Sequence, residues 1–218
     1  MTIVNEISKI QKELPPTVKL VAVSKFKSNE AILEAYAAGL RDFAENRPQE
    51  LKQKMAELPK DINWHFIGHL QTNKIRMIID KVFMIQSIDN LRLAREVNKE
   101  AQIRHIVKDC LIQVHIAKEE TKQGFSEEEL LESIVELKAL SGIRICGLMG
   151  MASFIEDSRQ IKIEFSSLRT LYNKLKDLYF KDCDYFKEIS MGMSGDYKLA
   201  IEEGSTIIRI GSRIFGNR

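Results

Sequence analysis

Residues 110–114 read Cys110-Leu111-Ile112-Gln113-Val114, an almost continuous apolar run. Strands with one solvated face alternate apolar and polar side chains, whereas a parallel strand that is covered on both faces is apolar nearly throughout. The run therefore indicates a parallel sheet with helices packed on it.

Similar runs recur along the chain, with amphipathic stretches between them. The clearest helix spans Ser126–Leu140, where Ser126 and Glu129 have the spacing of a capping box. The repeated alternation of strand and helix predicts an α/β fold, a single closed (β/α)8 TIM barrel, with residues 1–218 as one domain. The predicted strands are Val18–Ser24, Asp42–Glu45, Asn63–Gly68, Phe83–Ser87, Cys110–Ile116, Ile143–Met149, Phe186–Met191 and Thr206–Gly211.

The composition limits the class of protein. Hydrophobic residues make up 44% of the chain and charged residues 29%, with a formal net charge of +2, as in a globular protein that does not bind nucleic acid. The first residues show no basic segment followed by an apolar one, and no apolar stretch is long enough to span a membrane, so we expect a cytoplasmic protein. Cys110, Cys146 and Cys183 are isolated from one another, which argues against a disulfide framework or a zinc site.

Lys25 follows the first predicted strand, where the chain leaves the core. An amine at such a position is partly desolvated, so it loses its proton more readily than a surface lysine while remaining open to a small carbonyl compound. It could then form a Schiff base. The alternative is a lysine whose aliphatic stem lines the strand and whose ammonium reaches water. Taken alone, this segment favours the solvent-reaching lysine, so the choice between the two roles depends on the rest of the chain.

Two glycine-rich segments lie at the ends of the last two predicted strands. Residues 191–196 and 209–213 combine glycines with serines, and barrels often bind phosphate there, between backbone N–H groups and the helix N-termini that follow. Turn glycines without a ligand are the alternative. A Schiff-base lysine facing a phosphate site would suit an aldehyde that carries a phosphate. Pyridoxal 5′-phosphate (PLP) is the leading candidate, and a sugar-phosphate aldolase is the rival.

The order of residues in six segments is specific enough to indicate a family. Together these segments closely resemble the pyridoxal phosphate homeostasis proteins, and the likeness runs from about Val18 to the C-terminus. The segments are Val21-Ala22-Val23-Ser24-Lys25, Glu45-Asn46, Trp64-His65-Phe66-Ile67-Gly68-His69-Leu70-Gln71-Thr72-Asn73-Lys74, Gly147-Leu148-Met149, Ser190-Met191-Gly192-Met193-Ser194-Gly195-Asp196 and Gly204-Ser205-Thr206-Ile207-Ile208-Arg209-Ile210-Gly211.

The resemblance implies a barrel like the N-terminal domain of bacterial alanine racemase, with PLP held as a Schiff base. Lys25 would be the Schiff-base lysine, and Arg209 would face the pyridine nitrogen. The other implied contacts are with the phosphate, from Ser194, Gly211 and Ser212, and with the ring, from Asn46 and Met149. Three more residues match family positions to which we assign no role, namely His69, Lys74 and Lys122.

The chain departs from the family pattern at two places. Arg47-Pro48 stands where the family usually has an aromatic and an aliphatic residue, so we expect the loop that begins at Asn46 to pack differently around the ring. Ser212 stands where threonine is common, and serine keeps the hydroxyl that a phosphate contact needs.

The resemblance favours a carrier of PLP over an enzyme. An arginine at the pyridine nitrogen keeps it unprotonated and weakens the ring as an electron sink. Related racemases add a catalytic tyrosine from a second domain, which we do not expect in a chain of 218 residues. We therefore expect a monomer or weak homodimer that stores PLP or delivers it to PLP-dependent apoenzymes. A weak racemase-like enzyme acting on amino acids remains the alternative, and a lysine-dependent aldolase the third reading.

Overall fold

The computed structural model describes residues 2–118 and 123–216, and within them the strands close into a parallel barrel. Neighbours in the barrel follow the order of the chain, and the first strand pairs with the last. This confirms the predicted (β/α)8 architecture. The strands are β1 (Lys19–Val23), β2 (Asp42–Glu45), β3 (Asn63–Phe66), β4 (Met84–Ile88), β5 (Lys108–Val114), β6 (Ile143–Gly150), β7 (Glu188–Ser190) and β8 (Ile207–Ile210).

Helices cover the outside of the barrel, with a 3₁₀ helix at Thr72–Met77 in place of an α-helix after β3. Ser126 caps one of them as predicted, because its side chain accepts from the Glu129 N–H while the Glu129 carboxylate accepts from the Ser126 N–H. The helices are α1 (Ile3–Glu13), α2 (Asn29–Ala37), α3 (Pro48–Glu57), α4 (Leu91–Ile103), α5 (Glu127–Ala139), α6 (Ser158–Tyr179), α7 (Tyr197–Glu202) and α8 (Ser212–Phe215).

Side chains alternate between two cores along each strand. Outward-facing residues such as Phe43 and Phe66 pack beneath the helices in the larger core. Inward-facing residues fill the barrel itself, where a smaller apolar cluster contains Val21, Ala44 and Met84 together with Leu111, Cys146, Met149 and Ile207. The alternation decides which residues at the strand ends face the barrel mouth.

Within the described residues, no helix combines the length and the apolar character that crossing a membrane requires.

Candidate functional site

A cavity of about 800 Å³ opens at the carboxyl ends of the strands, where the first and last strands of the barrel meet. Its lining includes five of the seven residues predicted from the sequence, which come from both ends of the chain: Lys25, Ser194, Arg209, Gly211 and Ser212. The barrel closure that pairs β1 with β8 is therefore what brings these residues together.

Lys25 lies just beyond β1 and is half-buried. Val21 and Val23 pack with the cluster inside the barrel, so the alternation along the strand directs Lys25 to the same side and Ser24 to the outside. Lys25 accordingly lines the cavity. The position combines partial desolvation with access to a ligand, as the sequence predicts.

A buried ion-pair cluster fixes the end of β1 behind Lys25. Ser24 donates from Oγ to Glu45 Oε1 over 2.6 Å, and Lys54 Nζ donates to the Ser24 carbonyl and to Glu45 Oε1, each over 2.8 Å. Lys54 also donates to Glu50 Oε1 over 2.7 Å. Burial raises the pKa of Glu45, and the hydrogen bonds from Lys54 and Ser24 oppose that rise. The cluster joins β1, β2 and α3 at the rim.

Arg209 lies on β8 with only 3% of its surface exposed, and it reaches the cavity. Its Nη1 donates to Ser190 Oγ over 2.6 Å and its Nη2 donates to the Gly150 carbonyl over 2.9 Å. Burial lowers the pKa of the guanidinium to about 10, with the Asp196 carboxylate acting in the opposite direction. Arg209 is therefore still a cation at neutral pH, and two bonds from different nitrogens fix its plane.

Serines and glycines of the loops after β7 and β8 line one end of the cavity. Ser194 and Ser212 both contribute there, beside Gly195 and Gly211. The loop after β7 turns through Gly192, whose φ is +93° and whose position would bring an added Cβ to 2.6 Å from Ala200 Cβ, so that only glycine fits. These loops bring two serine hydroxyls to the cavity, with the Asp196 carboxylate beside them.

The helices that follow these two loops are short. α7 has 6 residues and α8 has 4, so each is a turn or so of helix with little cumulative dipole. Any phosphate here would depend on the serine hydroxyls and on local N–H groups, and not on the summed dipole of a long helix.

Asn46 and Met149 are not among the described residues that line the cavity. Asn46 follows β2 with its backbone tight against Gly68, and its Oδ1 is buried without a hydrogen-bond partner in the described part of the chain. Met149 packs inside the barrel with 1% of its surface exposed. Their contacts with the ring of a ligand remain predictions.

The other residues matching family positions lie elsewhere. His69 lines a separate cavity of about 320 Å³, where its Nδ1 lies 2.9 Å from Asp89 Oδ2. Lys74 lies in the 3₁₀ helix after β3. Lys122 lies outside the described residues. Ser87, another predicted strand-end residue, donates to the Gly68 carbonyl over 2.6 Å and so has a structural role.

Comparisons with known proteins identify the family. The family model for the alanine racemase N-terminal domain matches residues 2–218. The pyridoxal phosphate homeostasis protein of Synechocystis is 41% identical over 216 residues, which cover 97% of this chain and 96% of the relative. The protein of the same name from Aquifex aeolicus is 41% identical over 92% of this chain and 87% of its own. The chain belongs to the pyridoxal phosphate homeostasis protein family.

Solved structures extend the family comparison. PipY of Synechococcus elongatus, in a structure with PLP bound, superposes with a TM-score of 0.91 at 36% identity, covering 99% of this chain and 100% of PipY. The structure of PipY without PLP gives a TM-score of 0.93 at 35% identity, with the same coverage of both chains. An alanine racemase from Clostridium difficile 630 covers 100% of this chain and 56% of its own, with a TM-score of 0.77 and 15% identity, which shows a shared fold and no more.

For this member of the pyridoxal phosphate homeostasis family, several cavity residues were missed by sequence reasoning. Ser153, Phe154 and Ile155 line the cavity. Ser153 is held by Glu164, which accepts from its N–H over 2.6 Å and from its Oγ over 2.8 Å, and Phe154 then projects with 95% of its surface exposed. They lie four to six positions after the predicted strand Ile143–Met149, and that loop position at the carboxyl end of a strand was the available signal.

Proposed function

We propose that this protein binds PLP reversibly through Lys25 and acts in PLP homeostasis, by storing the cofactor or delivering it to PLP-dependent apoenzymes. The observation that carries the proposal is one cavity lined by a half-buried lysine, a buried arginine and two serine hydroxyls. This donor set suits an aldehyde joined to an aromatic nitrogen ring and a phosphate. The proposal treats residues 1–218 as one cytoplasmic domain, as a monomer or weak homodimer.

Lys25 has the covalent role. Its neutral Nζ attacks the aldehyde carbon, a C=N bond forms and the aldehyde oxygen leaves as water, so the exchange needs no oxidant or further reactant. Water reverses the reaction and releases the aldehyde. The ion-pair cluster of Glu45, Lys54 and Ser24 holds the backbone beneath Lys25 in place during both formation and hydrolysis of the Schiff base.

Arg209 and the serines hold the two other parts of the ligand. Arg209 is cationic and fixed in its plane, which makes it a donor to the ring nitrogen and opposes protonation of that nitrogen. Ser194 and Ser212 offer hydroxyls to the phosphate. When bound, PLP supplies an electrophilic aldehyde and an electron-withdrawing ring.

The arginine supports a carrier role over an enzymatic one. A ring whose nitrogen is unprotonated withdraws electrons poorly, and catalysis on amino acids needs that withdrawal together with acid and base groups. The curated relatives are named homeostasis proteins. A carrier instead needs reversible capture, because free PLP reacts with amines throughout the cell.

The test is covalent trapping with two matched variants. Lys27 also lines the cavity, but its Nζ donates to the Phe215 carbonyl over 3.1 Å and to the Gly216 carbonyl over 2.9 Å. With added PLP, we expect a visible absorbance band in the wild type and in Lys27→Ala but not in Lys25→Ala. Borohydride should bleach the band and leave the pyridoxyl group on the peptide that contains Lys25.

Each result has a distinct meaning. A wild-type protein that shows neither a band nor any retained PLP would overturn the proposed function. A band of equal intensity in Lys25→Ala would retain cofactor binding but move the covalent bond to another amine.

A further inference from the structure

A chain of hydrogen bonds crosses the inside of the barrel from Arg209 to Asp42. Arg209 Nη1 donates to Ser190 Oγ over 2.6 Å, and Ser190 Oγ donates to Gln86 Oε1 over 2.7 Å. Gln86 Nε2 lies 2.9 Å from His65 Nδ1, and His65 Nε2 lies 3.0 Å from Asp42 Oδ1. We call these five residues the barrel relay.

Strand register explains why the barrel relay is internal. His65 pairs with Ala44 and Met84, and Ser190 pairs with Ile207, all of which belong to the apolar cluster inside the barrel. Paired residues of neighbouring parallel strands point to the same side, so these polar residues point inward as well.

The members of the barrel relay are costly to bury. His65, Gln86 and Ser190 each have 0% of their surface exposed, in a place that barrels usually fill with branched apolar side chains. Buried polar groups destabilise a protein unless their hydrogen bonds are satisfied, and here each one has a partner on both sides. Loss of any one member would leave a buried polar neighbour without its hydrogen bond and so would destabilise the barrel.

The bonds of the barrel relay all run in one direction. Asp42 only accepts, so His65 Nε2 carries the proton, and burial lowers the pKa of His65, which keeps Nδ1 an acceptor. Gln86 must then donate its amide to His65 and accept at Oε1 from the Ser190 hydroxyl. The Ser190 proton is directed toward Gln86, and its lone pairs are left for Arg209. Donation therefore runs from the cation to the carboxylate.

We propose that Gln86 is a positioning residue for the cofactor: by orienting Ser190, it holds the Arg209 guanidinium against the pyridine nitrogen of PLP. This inference rests on the proposed function. Gln86 touches neither the cavity lining nor Lys25 in any described contact, so it acts through Arg209 alone. Without the Gln86 carbonyl, the Ser190 hydroxyl is free to turn its proton toward the guanidinium, which displaces it.

Charged groups around His65 bear on how the barrel relay responds to pH. Asp42 favours the protonated ring through its hydrogen bond and its charge, Glu188 favours it through charge, and Lys19 disfavours it. Burial outweighs the two carboxylates, so the ring is neutral and the direction of the relay persists at neutral pH.

The experiment compares two buried glutamines that lie on adjacent strands and point into the barrel. Gln86 lies on β4 in the barrel relay, whereas Gln113 on β5 is 5% exposed and donates instead to the Gln123 carbonyl over 2.7 Å. Gln86→Leu and Gln113→Leu remove the same amide. The probe is PLP labelled with ¹⁵N at the ring nitrogen, titrated with pH while bound to each protein.

In Gln86→Leu, we expect the pKa of the ring nitrogen to rise by about one unit, because a displaced guanidinium opposes its protonation less. One unit is a tenfold change in that equilibrium, or about 1.4 kcal/mol. We also expect a roughly three- to tenfold weaker affinity for PLP, equivalent to about 0.7 to 1.4 kcal/mol. Gln113→Leu should leave the nitrogen titration unchanged even if it lowers stability. A general packing defect would not separate the two variants in this way.

Gln86→Glu provides a rescue that a merely structural role would not predict. Its carboxylate can still accept from Ser190, so Arg209 stays held and the ring nitrogen should titrate as in the wild type. The same carboxylate favours a proton on His65 Nδ1, so ¹⁵N NMR of the protein without PLP should show a raised pKa for His65.

Failure of the inference is distinct from failure of the proposed function. A wild-type protein that does not retain the labelled PLP removes the function itself. Retained PLP with the same nitrogen titration in wild type and Gln86→Leu removes the positioning role. If Gln86→Leu does not fold, Ser190→Ala takes its place and is read by the same criterion, since it breaks the bond to Arg209 directly.

Discussion

Lys54 Nζ lies 2.8 Å from Glu45 Oε1, and both side chains are buried beneath the segment that carries Lys25. Replacing Lys54 with methionine would leave the Glu45 carboxylate buried without its cation. We expect Lys54→Met to lower the free energy of unfolding by about 3 to 5 kcal/mol, as for other broken buried pairs. Urea denaturation measures the change.

The control for Lys54 lies on the same helix. Lys52 is exposed on α3, so Lys52→Met should change the free energy of unfolding by less than about 0.5 kcal/mol. Equal losses in the two variants would mean that the buried pair does not anchor the end of β1.

Ser194 and Ser212 are expected to bind the phosphate of PLP. A hydrogen bond to a charged group contributes about 1.5 to 3 kcal/mol, so the double variant Ser194→Ala/Ser212→Ala should bind PLP tens-fold more weakly or worse. Lys25 should still form its imine at high cofactor concentration. Titration of the visible band gives the affinity.

Pyridoxal, which has no phosphate, is the matched control ligand for the two serines. The double variant and the wild type should bind it equally. A double variant that loses affinity for both ligands to the same degree would place the phosphate elsewhere.

The protein loaded with PLP should neither racemise amino acids nor exchange their α-protons at an enzymatic rate. In the proposed complex the Arg209 cation opposes protonation of the ring nitrogen, and acid–base assistance alone commonly contributes about 10²- to 10⁴-fold to a rate. The measurement is α-proton exchange of L-alanine in deuterated water, followed by NMR. Exchange well above that of free PLP and abolished in Lys25→Ala would make the protein an enzyme.

Stability should depend on pH through His65. Burial lowers the pKa of His65 in the folded protein, whereas the unfolded chain has a histidine pKa of about 6.5. Below that pH the unfolded state takes up a proton that the folded state refuses, so stability is lost as the pH falls, by up to about 1.4 kcal/mol per pH unit. Above about pH 7 the His65 ring is neutral in both states, so the free energy of unfolding no longer changes with pH through this residue.

Urea unfolding between about pH 8 and pH 5 measures this loss. His65→Gln should show a shallower fall in stability than the wild type. His105 is exposed with a φ of +54°, which asparagine tolerates, so His105→Asn is the control and should keep the wild-type slope. Identical slopes in all three proteins would exclude His65 as the source.

The strands of the barrel could be placed from the sequence because each contains apolar residues within a short stretch that lies between helical segments. β2 was predicted with its observed bounds, Asp42–Glu45. β7 was predicted too long, since Phe186 stacks outside the barrel on Phe180 with ring centroids 4.1 Å apart and does not continue the strand. An apolar residue that packs on a helix looks the same in sequence as one within a strand.

The cavity residues were predictable for a different reason. Lys25 and Arg209 follow from the rule that barrel chemistry lies at the carboxyl ends of strands, together with the family motifs. The barrel relay was not foreseen, because Gln86 and Ser190 lie 104 positions apart on strands that are not neighbours, and they meet only across the inside of the closed barrel. A polar residue at an inward position is visible in the sequence, but its partner is not.

The pairing of β1 with β8 means that Lys25 joins the other cavity residues only once the two ends of the chain have met. Lys25 comes from the first strand and Arg209 from the last, so neither half of the protein can assemble the cavity alone. A ligand bound to both Lys25 and Arg209 would link β1 to β8 in addition to the hydrogen bonds between the two strands. Binding of the ligand and closure of the barrel would then be thermodynamically coupled: the ligand would stabilise the closed barrel, and the closed barrel would be the state that binds the ligand.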